Sequence, residues 1–281
     1  MPHNFENSAI HLEINPQIAR WSAGSRQANG PSLENLQVNL GYRKGRRYRN
    51  SLDLWPEYTL EDEQCDLPGH GSGKLVHLRL NSNPDQVYTT ITFALPDQYP
   101  LLLWKIAIGN QGLNPVNVEG LELFSAGYIH RGRKGPNGQI NLPISGSAKS
   151  KKTAGASRST HPLNLAFFSN GWQSWSRTGS YLATDQYLQT RLGFLRSPLV
   201  KNQQTPNPRR SGMFASDMYA VLGDNYSRNG ILCGFLSQRN HFGSLEAWLG
   251  GTSPAWKMWA NGDDARLEAG QQVETDWACL H

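Results

Sequence analysis

The stretch LVHLRLNSNPDQVYTTITFALPDQYPLLLWKIAIGN, residues 75–110, indicates the fold class. Apolar residues alternate with other residues over three runs, 76–80, 91–95 and 102–108, which are rich in β-branched and aromatic side chains. Clusters of Asn, Pro, Asp and Gly separate the runs and are typical of turns. Short connections favour antiparallel neighbours. The stretch therefore predicts consecutive strands of one antiparallel sheet.

Strand signals continue to the end of the chain, and helix signals are scarce. In the run 116–123 the apolar phase slips by one residue at Gly120, which predicts a β-bulge because a slip would otherwise turn the side chains to the wrong face. Residues 218–222 and 231–236 predict a hairpin. Further strands are predicted at 163–168, 242–249 and 273–280. We expect an all-β protein, one large antiparallel β-sandwich spanning residues 1–281.

Composition agrees with this fold and leaves two roles open for the aromatic residues. The chain has 281 residues, 17% of them charged, with 28 glycines, 16 prolines and nine tryptophans. This length is enough for a core of ordinary size. The tryptophans are compatible with sugar binding, because an aromatic face is flat and apolar, but packing in the core accounts for most of them equally well.

The positive charge is concentrated in one segment. The net charge is +5, yet residues 131–160 contain seven Lys or Arg and no Asp or Glu. This segment has almost no large apolar residues, so we predict a mobile basic insertion at about 131–160. A second basic run, residues 43–49, also lacks the recognisable module of a nucleic-acid binder. We therefore expect no nucleic-acid partner.

Cysteines and short motifs do not indicate a cofactor or a metal. Cys65, Cys233 and Cys279 are widely spaced, and no Cys/His cluster is present. The glycine-rich segment 68–74 matches neither a phosphate-binding loop nor a dinucleotide-binding turn. The first residues have no apolar signal region, and no apolar run is long enough to cross a membrane. Reduced thiols and a cytoplasmic location are the expectation.

The most distinctive local motif is NGWQSW, residues 170–175, directly after the strand predicted at 163–168. Asn-Gly favours a turn. A turn at a strand end can present one tryptophan to solvent and bury the other, while nearby amides orient sugar hydroxyls. The residues alone are equally compatible with two core tryptophans, since Trp is usually well buried.

Two sequence blocks resemble a known family. The motif NGWQSWS (170–176), together with SDMYAV (216–221) and GFLSQRNHF (234–242), resembles the amino-terminal domain of glycoside hydrolase family 36 α-galactosidases. The resemblance implies a β-supersandwich that precedes a (β/α)8 barrel. It also implies a retaining mechanism in which the barrel supplies both catalytic aspartates.

The resemblance further assigns roles within this chain. Trp175 would contact the sugar, and Trp172 would pack inside. Supporting and weaker candidates are Asn170, Gln173 and Ser174, which would shape the loop, and Arg239, Asn240 and His241.

The chain ends at His281, about where the family's barrel would begin, so we expect no catalytic residue, metal or cofactor in it. The expected partners are an α-galactoside, the barrel of the parent enzyme and further copies of the chain. Two alternatives stay open: a stand-alone carbohydrate-binding module, and a structural domain of a glycosidase with another specificity.

Overall fold

The computed structural model describes residues 1–28, 30–50, 57–81, 85–127, 138–142, 165–173, 176–188, 190, 205–225, 228–250 and 254–281. These residues form 21 β-strands and one short 3-10 turn, and they contain no α-helix. The prediction of an all-β fold is confirmed. Within the same ranges, no helix has the length and apolar character needed to cross a membrane.

The strands, in chain order, are β1 His3–Glu6, β2 Ile10–Asn15, β3 Arg20–Ser25, β4 Ser32–Gln37, β5 Asn39–Lys44, β6 Arg47–Asn50, β7 Glu57–Leu67, β8 Gly71–Asn81, β9 Val87–Pro96, β10 Leu102–Asn110, β11 Val116–Ala126, β12 Gln139–Asn141, β13 Leu165–Ser169, β14 Gly179–Leu182, β15 Met213–Asp217, β16 Tyr219–Asp224, β17 Gly230–Phe235, β18 Gly243–Trp248, β19 Ala255–Leu267, β20 Gln272–Glu274 and β21 Ala278–Leu280. The 3-10 turn is Pro16–Ile18.

These strands pair into three antiparallel sheets. The largest has ten strands, in the order β14-β13-β16-β17-β21-β10-β9-β8-β7, with β20 also paired to β10. A six-stranded sheet has the order β15-β18-β19-β11-β5-β6, and a five-stranded sheet has the order β1-β2-β3-β4-β12. The predicted runs within residues 75–110 are the neighbouring strands β8, β9 and β10.

The ten-stranded sheet forms one layer of a sandwich, and the other two sheets together form the second layer. Trp104 of the large sheet lies 5.5 Å from Trp21 of the five-stranded sheet and 6.3 Å from Phe124 of the six-stranded sheet, measured between ring centroids. At the other end of the core, Phe167 stacks on Phe214 at 5.9 Å. All five rings are buried, so aromatic contacts join the two layers along one continuous core. The predicted β-sandwich is confirmed.

The bulge predicted at Gly120 is present. The pairing of β11 with both β5 and β19 changes register between Val118 and Gly120. On β19, Asp263 and Asp264 opposite this point have positive φ angles of 50° and 57°. The extra residue keeps Leu121 on the core side, where it is fully buried.

One predicted strand is interrupted. The run 273–280 was expected to be continuous, but it forms β20 and β21, which pair with different parts of β10. Between them, the Thr275 hydroxyl accepts a hydrogen bond from the Ile106 amide at 3.2 Å, and the Asp276 carboxylate turns to a neighbouring loop.

A short strand lies within the range predicted as a mobile basic insertion, about 131–160. Gln139–Asn141 forms strand β12, which pairs with β4, and Ile140 and Leu142 are buried. A short edge strand needs only one or two apolar side chains, so low apolar content did not exclude it. Residues 131–137 and 143–160 lie outside the described residues.

Candidate functional site

The predicted site lies at one end of the ten-stranded sheet, where three connections meet. Strand β13 ends at Ser169, which pairs with Ala220 at the start of β16, and Ala220 pairs in turn with Cys233 near the end of β17. Strands β13 and β17 lie on either side of β16 and run in the same direction. The segments that leave them, 170–173 and 236–242, therefore emerge at the same end of the sheet.

Asn170 fixes the start of the first segment. Its backbone N–H donates to the Ser216 hydroxyl at 2.7 Å, and its side-chain amide donates to the Asp217 carbonyl at 2.9 Å. The Asp217 amide donates back to the Asn170 carbonyl at 3.1 Å. Asn170 therefore joins the end of β13 to the junction between β15 and β16.

The junction that Asn170 binds is itself tightly defined. Met218, between β15 and β16, has a positive φ of 67°, which is uncommon for a residue other than glycine. The Asp217 carboxylate is buried and accepts a hydrogen bond from the Thr205 hydroxyl at 2.5 Å. The Asp217 carboxylate therefore helps to hold the junction between β15 and β16 in place.

Hydrogen bonds also join the described residues on either side of positions 174 and 175. The Gln173 amide donates to the Ser176 hydroxyl at 3.1 Å, and the Ser176 amide donates to the Gln173 carbonyl at 2.8 Å. The Gly171 amide donates to the Thr178 hydroxyl at 3.0 Å, and a Cβ at Gly171 would lie 2.6 Å from the Cβ of Ser176. Gly171 is thus required for the close approach of the loop's two ends.

Of the two tryptophans in the motif, the structure describes Trp172. Trp172 was expected in the core, but it is only half-buried and packs edge-on against Phe242, with ring centroids 5.0 Å apart. Phe242 is 41% exposed, so the pair forms an apolar surface at the end of the sheet. Trp175, the principal candidate, and Ser174 lie outside the described residues.

A buried carboxylate holds the second segment. Asp276 accepts hydrogen bonds from the Ser237 hydroxyl, the Asn240 amide at 2.9 Å and the His241 amide at 3.3 Å. Burial acts to raise the pKa of Asp276, but these bonds, with a further one from the Arg239 backbone, outweigh it and lower the pKa below its usual value. Asp276 is therefore a carboxylate at neutral pH.

The weaker candidates belong to this loop, but mainly through their backbone. Arg239, Asn240 and His241 all contribute N–H groups to Asp276. The His241 ring is buried, and its Nδ1 lies 2.6 Å from the Asn261 carbonyl oxygen, which can only accept, so Nδ1 carries the proton. The ring is thus fixed to strand β19 through Asn261.

The carboxylates and two of the thiols near the site are engaged within the protein. The Asp217 and Asp276 carboxylates are both engaged in internal hydrogen bonds. Burial raises the pKa values of the Cys233 and Cys279 thiols, so neither is a thiolate at neutral pH. Across the described ranges, no three His, Cys, Asp or Glu side chains come together as metal ligands would.

Phe242 and Asp276 were missed as site residues. The sequence predicts Phe242 as the first residue of a strand. In the structure it precedes β18, and its ring is partly exposed to solvent. Asp276 ends the polar stretch Glu274-Thr275-Asp276, which lies between Val273 and the apolar residues 277–280. The sequence alone does not distinguish its role from that of the other polar residues.

Comparisons with known proteins identify the fold. A scan against protein-family models gives no match, and a search of curated protein sequences gives none either. Among solved structures, the family 36 α-galactosidase of Geobacillus stearothermophilus matches with a TM-score of 0.54 and 8% identity, over 100% of this chain and 40% of that one. An α-galactosidase of Lactobacillus brevis matches with a TM-score of 0.53 and 8% identity, over 99% of this chain and 39% of that one.

The same fold occurs with another specificity. An α-N-acetylgalactosaminidase of Bifidobacterium bifidum matches with a TM-score of 0.53 and 7% identity, over 99% of this chain and 35% of that one. The chain thus spans only 35–40% of the length of these three enzymes. At such identities the similarity establishes the fold, and it is the fold that the family resemblance implied.

Proposed function

We propose that this chain is the amino-terminal domain of a retaining glycoside hydrolase that removes terminal α-galactosyl residues. In this proposal the chemistry belongs to a (β/α)8 barrel with two catalytic aspartates, and the present domain supplies an aromatic wall to the sugar pocket. The observation that carries the proposal is the position of the NGWQSW motif, which follows a strand of a fold that matches part of two α-galactosidases over 99–100% of this chain.

The geometry of the loop supports a positioning role. Asn170 and Asp276 fix the two segments from below, and the Trp172–Phe242 pair supplies an apolar surface at the end of the sheet. A rigid wall orients a sugar for attack at little entropic cost. We assign Trp175 to sugar contact, Gln173 and Ser174 to loop shape, and Trp172 to support of the wall.

The isolated chain should not hydrolyse glycosides, because the proposal places both catalytic carboxylates in the barrel. Purified chain incubated with nitrophenyl α-galactoside is expected to release no nitrophenol above the buffer control. Turnover that stays with the protein through two further purification steps would overturn the proposal. Isothermal titration with methyl α-galactoside is expected to give no measurable heat at about 1 mM sugar, because one wall alone binds weakly.

The partly exposed Trp172–Phe242 pair gives weight to a second function, a stand-alone carbohydrate-binding module. It predicts a dissociation constant below about 1 mM for the isolated chain. A specificity other than galactose also has support, since an α-N-acetylgalactosaminidase shares the fold. Titration with N-acetylgalactosamine beside galactose distinguishes the two sugars.

A cytoplasmic location is part of the proposal, because all three cysteines are free and two of them are buried. Cell fractionation with antibody detection tests it, and recovery with the secreted proteins would count against it.

A further inference from the structure

Strand β7 is by far the longest free edge of the three sheets. Among the described strands, the other five sheet edges are β1, β6, β12, β14 and β15, which have three to five residues each. Strand β7 has 11 residues, and its pairing with β8 runs from Glu57 to Leu67 without the register shift that a bulge would cause. A sheet edge presents a row of backbone N–H and C=O groups that can pair with another strand.

The free side of β7 is open to solvent. Eight of its 11 residues are exposed, and within the described ranges β8 is the only strand paired with it. Proteins usually protect a sheet edge with a very short strand, proline, a bulge or charged side chains. Of these devices, β7 (EYTLEDEQCDL) has only the charges, and every one of them is acidic. The backbone of β7 can therefore accept a further strand whose side chains match these charges.

The two faces of β7 differ in what they offer a partner strand. Leu60 is partly buried against the main core, so Leu60 and Asp62 lie on the core side. Asp62 has an ion-pair partner, the Lys74 ammonium at 3.5 Å. Glu61 and Glu63 lie on the opposite face and are exposed, and within the described ranges neither has such a partner. The outward face therefore offers a partner strand two neighbouring carboxylates.

These charges decide which strand can pair with the edge. Two copies of β7 paired antiparallel about Asp62 would place Glu61 directly opposite Glu63, and like charges directly opposite each other are destabilising. A strand with lysine or arginine at both positions would instead form opposite-charge pairs, which stabilise a sheet. In recognition by strand addition, the backbone supplies affinity and the side chains supply the choice of partner. The edge therefore rejects a second copy and fits a basic strand.

We propose that β7 binds an extended basic segment of another protein, which adds a strand to the ten-stranded sheet. The segment would carry lysine or arginine at two alternate positions, beside Glu61 and Glu63, and an apolar residue between them, on the side of Leu60. Strand β7 spans about 34 Å, enough for a partner strand of about seven residues. The proposal is independent of sugar binding, because β7 and β13, which precedes the NGWQSW motif, lie near opposite ends of the sheet.

Fluorescence anisotropy with a labelled heptapeptide of alternating lysine and valine tests the proposal on the 281-residue chain. We expect a dissociation constant below about 100 μM at about 50 mM salt. Binding should weaken at least about fivefold at about 500 mM salt, because exposed charges are then screened. The matched heptapeptide of alternating glutamate and valine should not bind at about 1 mM, because its charges repel those of β7.

A third peptide separates strand addition from simple charge attraction. The lysine–valine peptide with every backbone amide N-methylated keeps its charges but cannot donate backbone hydrogen bonds. It should bind at least about tenfold more weakly, since backbone pairing supplies the affinity in strand addition. Equal binding of the methylated and unmethylated peptides would overturn the proposal, because the contact would then be one of charge alone.

Charge reversal on the strand locates the contact. Glu61→Lys and Glu63→Lys alter exposed side chains, so both variants should fold, and each should weaken binding of the lysine–valine peptide at least about threefold. The matched control is Glu268→Lys, which makes the same charge change at an exposed residue outside β7 and should weaken binding less than about 1.5-fold. A wild-type chain that binds no peptide at about 1 mM overturns the proposal. So does binding that the two β7 variants weaken no more than Glu268→Lys does.

Discussion

Replacing Asp276 with asparagine would test whether this buried carboxylate holds the loop that carries Phe242. An asparagine of the same shape can keep the contacts with Ser237, Asn240 and His241, with its oxygen toward the amides of Asn240 and His241 and its amide toward the Ser237 hydroxyl. What it loses is the charge that strengthens each bond.

The expected cost follows from this count. Hydrogen bonds to a charged group contribute about 1.5–3 kcal/mol each, and neutral ones about 0.5–1.5 kcal/mol. Converting three bonds from the first kind to the second should lower the free energy of unfolding by about 3 kcal/mol. Asp276→Ala should cost more, about 4 kcal/mol, because it leaves buried amides without an acceptor.

The effect of Asp276 should also depend on pH. The folded state lowers the pKa of this carboxyl, so its contribution is fully present above the pKa of the unfolded chain, about 3.9, and is lost as the pH falls through the folded value. The difference between wild type and Asp276→Asn should therefore be constant from pH 7 to about pH 5 and shrink below that.

Urea unfolding followed by tryptophan fluorescence measures both effects. Glu268→Gln is a suitable control, because Glu268 is exposed and its contact with Arg266 at 2.7 Å lies on the surface, where it contributes less than about 1 kcal/mol. The reasoning is refuted if Asp276→Asn unfolds within about 0.5 kcal/mol of wild type at pH 7. It is equally refuted if a large difference persists unchanged to pH 3.

Three further substitutions test the packing around the site and the sheets, each by urea unfolding. Trp172→Ala should cost about 1–2 kcal/mol, since the ring is half-buried, and a cost above about 3 kcal/mol would place it in the core after all. Lys257→Met should cost about 3 kcal/mol, because it removes the ammonium 3.1 Å from buried Glu246; a neutral effect would contradict this. Gly109→Ala should cost about 1–3 kcal/mol, as its Cβ would lie 2.1 Å from the Tyr88 ring, unless that ring turns away freely.

Much of the fold could be predicted because buried strands impose a period of two on the sequence. The strands within residues 75–110 and the bulge at Gly120 were identified in this way. Strand β7 escaped because it is an edge strand with five acidic residues, and an exposed edge needs no alternation. The break between β20 and β21 escaped because the contact with the loop at residues 237–241 is not local.

The candidate site was only partly predictable for the same reason. A turn at Asn170 could be anticipated, because Asn-Gly after a strand is a local signal. The family resemblance placed Trp172 inside, but its environment depends on Phe242, 70 residues away in the sequence. The contacts of Asp276 likewise depend on which strands are neighbours in the sheet, and only the three-dimensional structure gives that.

The proposal that this domain presents a sugar-facing aromatic wall is tested most directly by saturation-transfer difference NMR. The isolated chain would be mixed with methyl α-galactoside, and transfer to the sugar protons would be compared for wild type, Trp175→Ala and the control Trp248→Ala. Trp248 belongs to a different sheet from the site, and its half-buried ring lies under the Arg210 guanidinium. We predict weak transfer that Trp175→Ala abolishes and Trp248→Ala preserves. Absence of transfer to the wild-type chain, or transfer that Trp175→Ala leaves unchanged, would contradict the proposal.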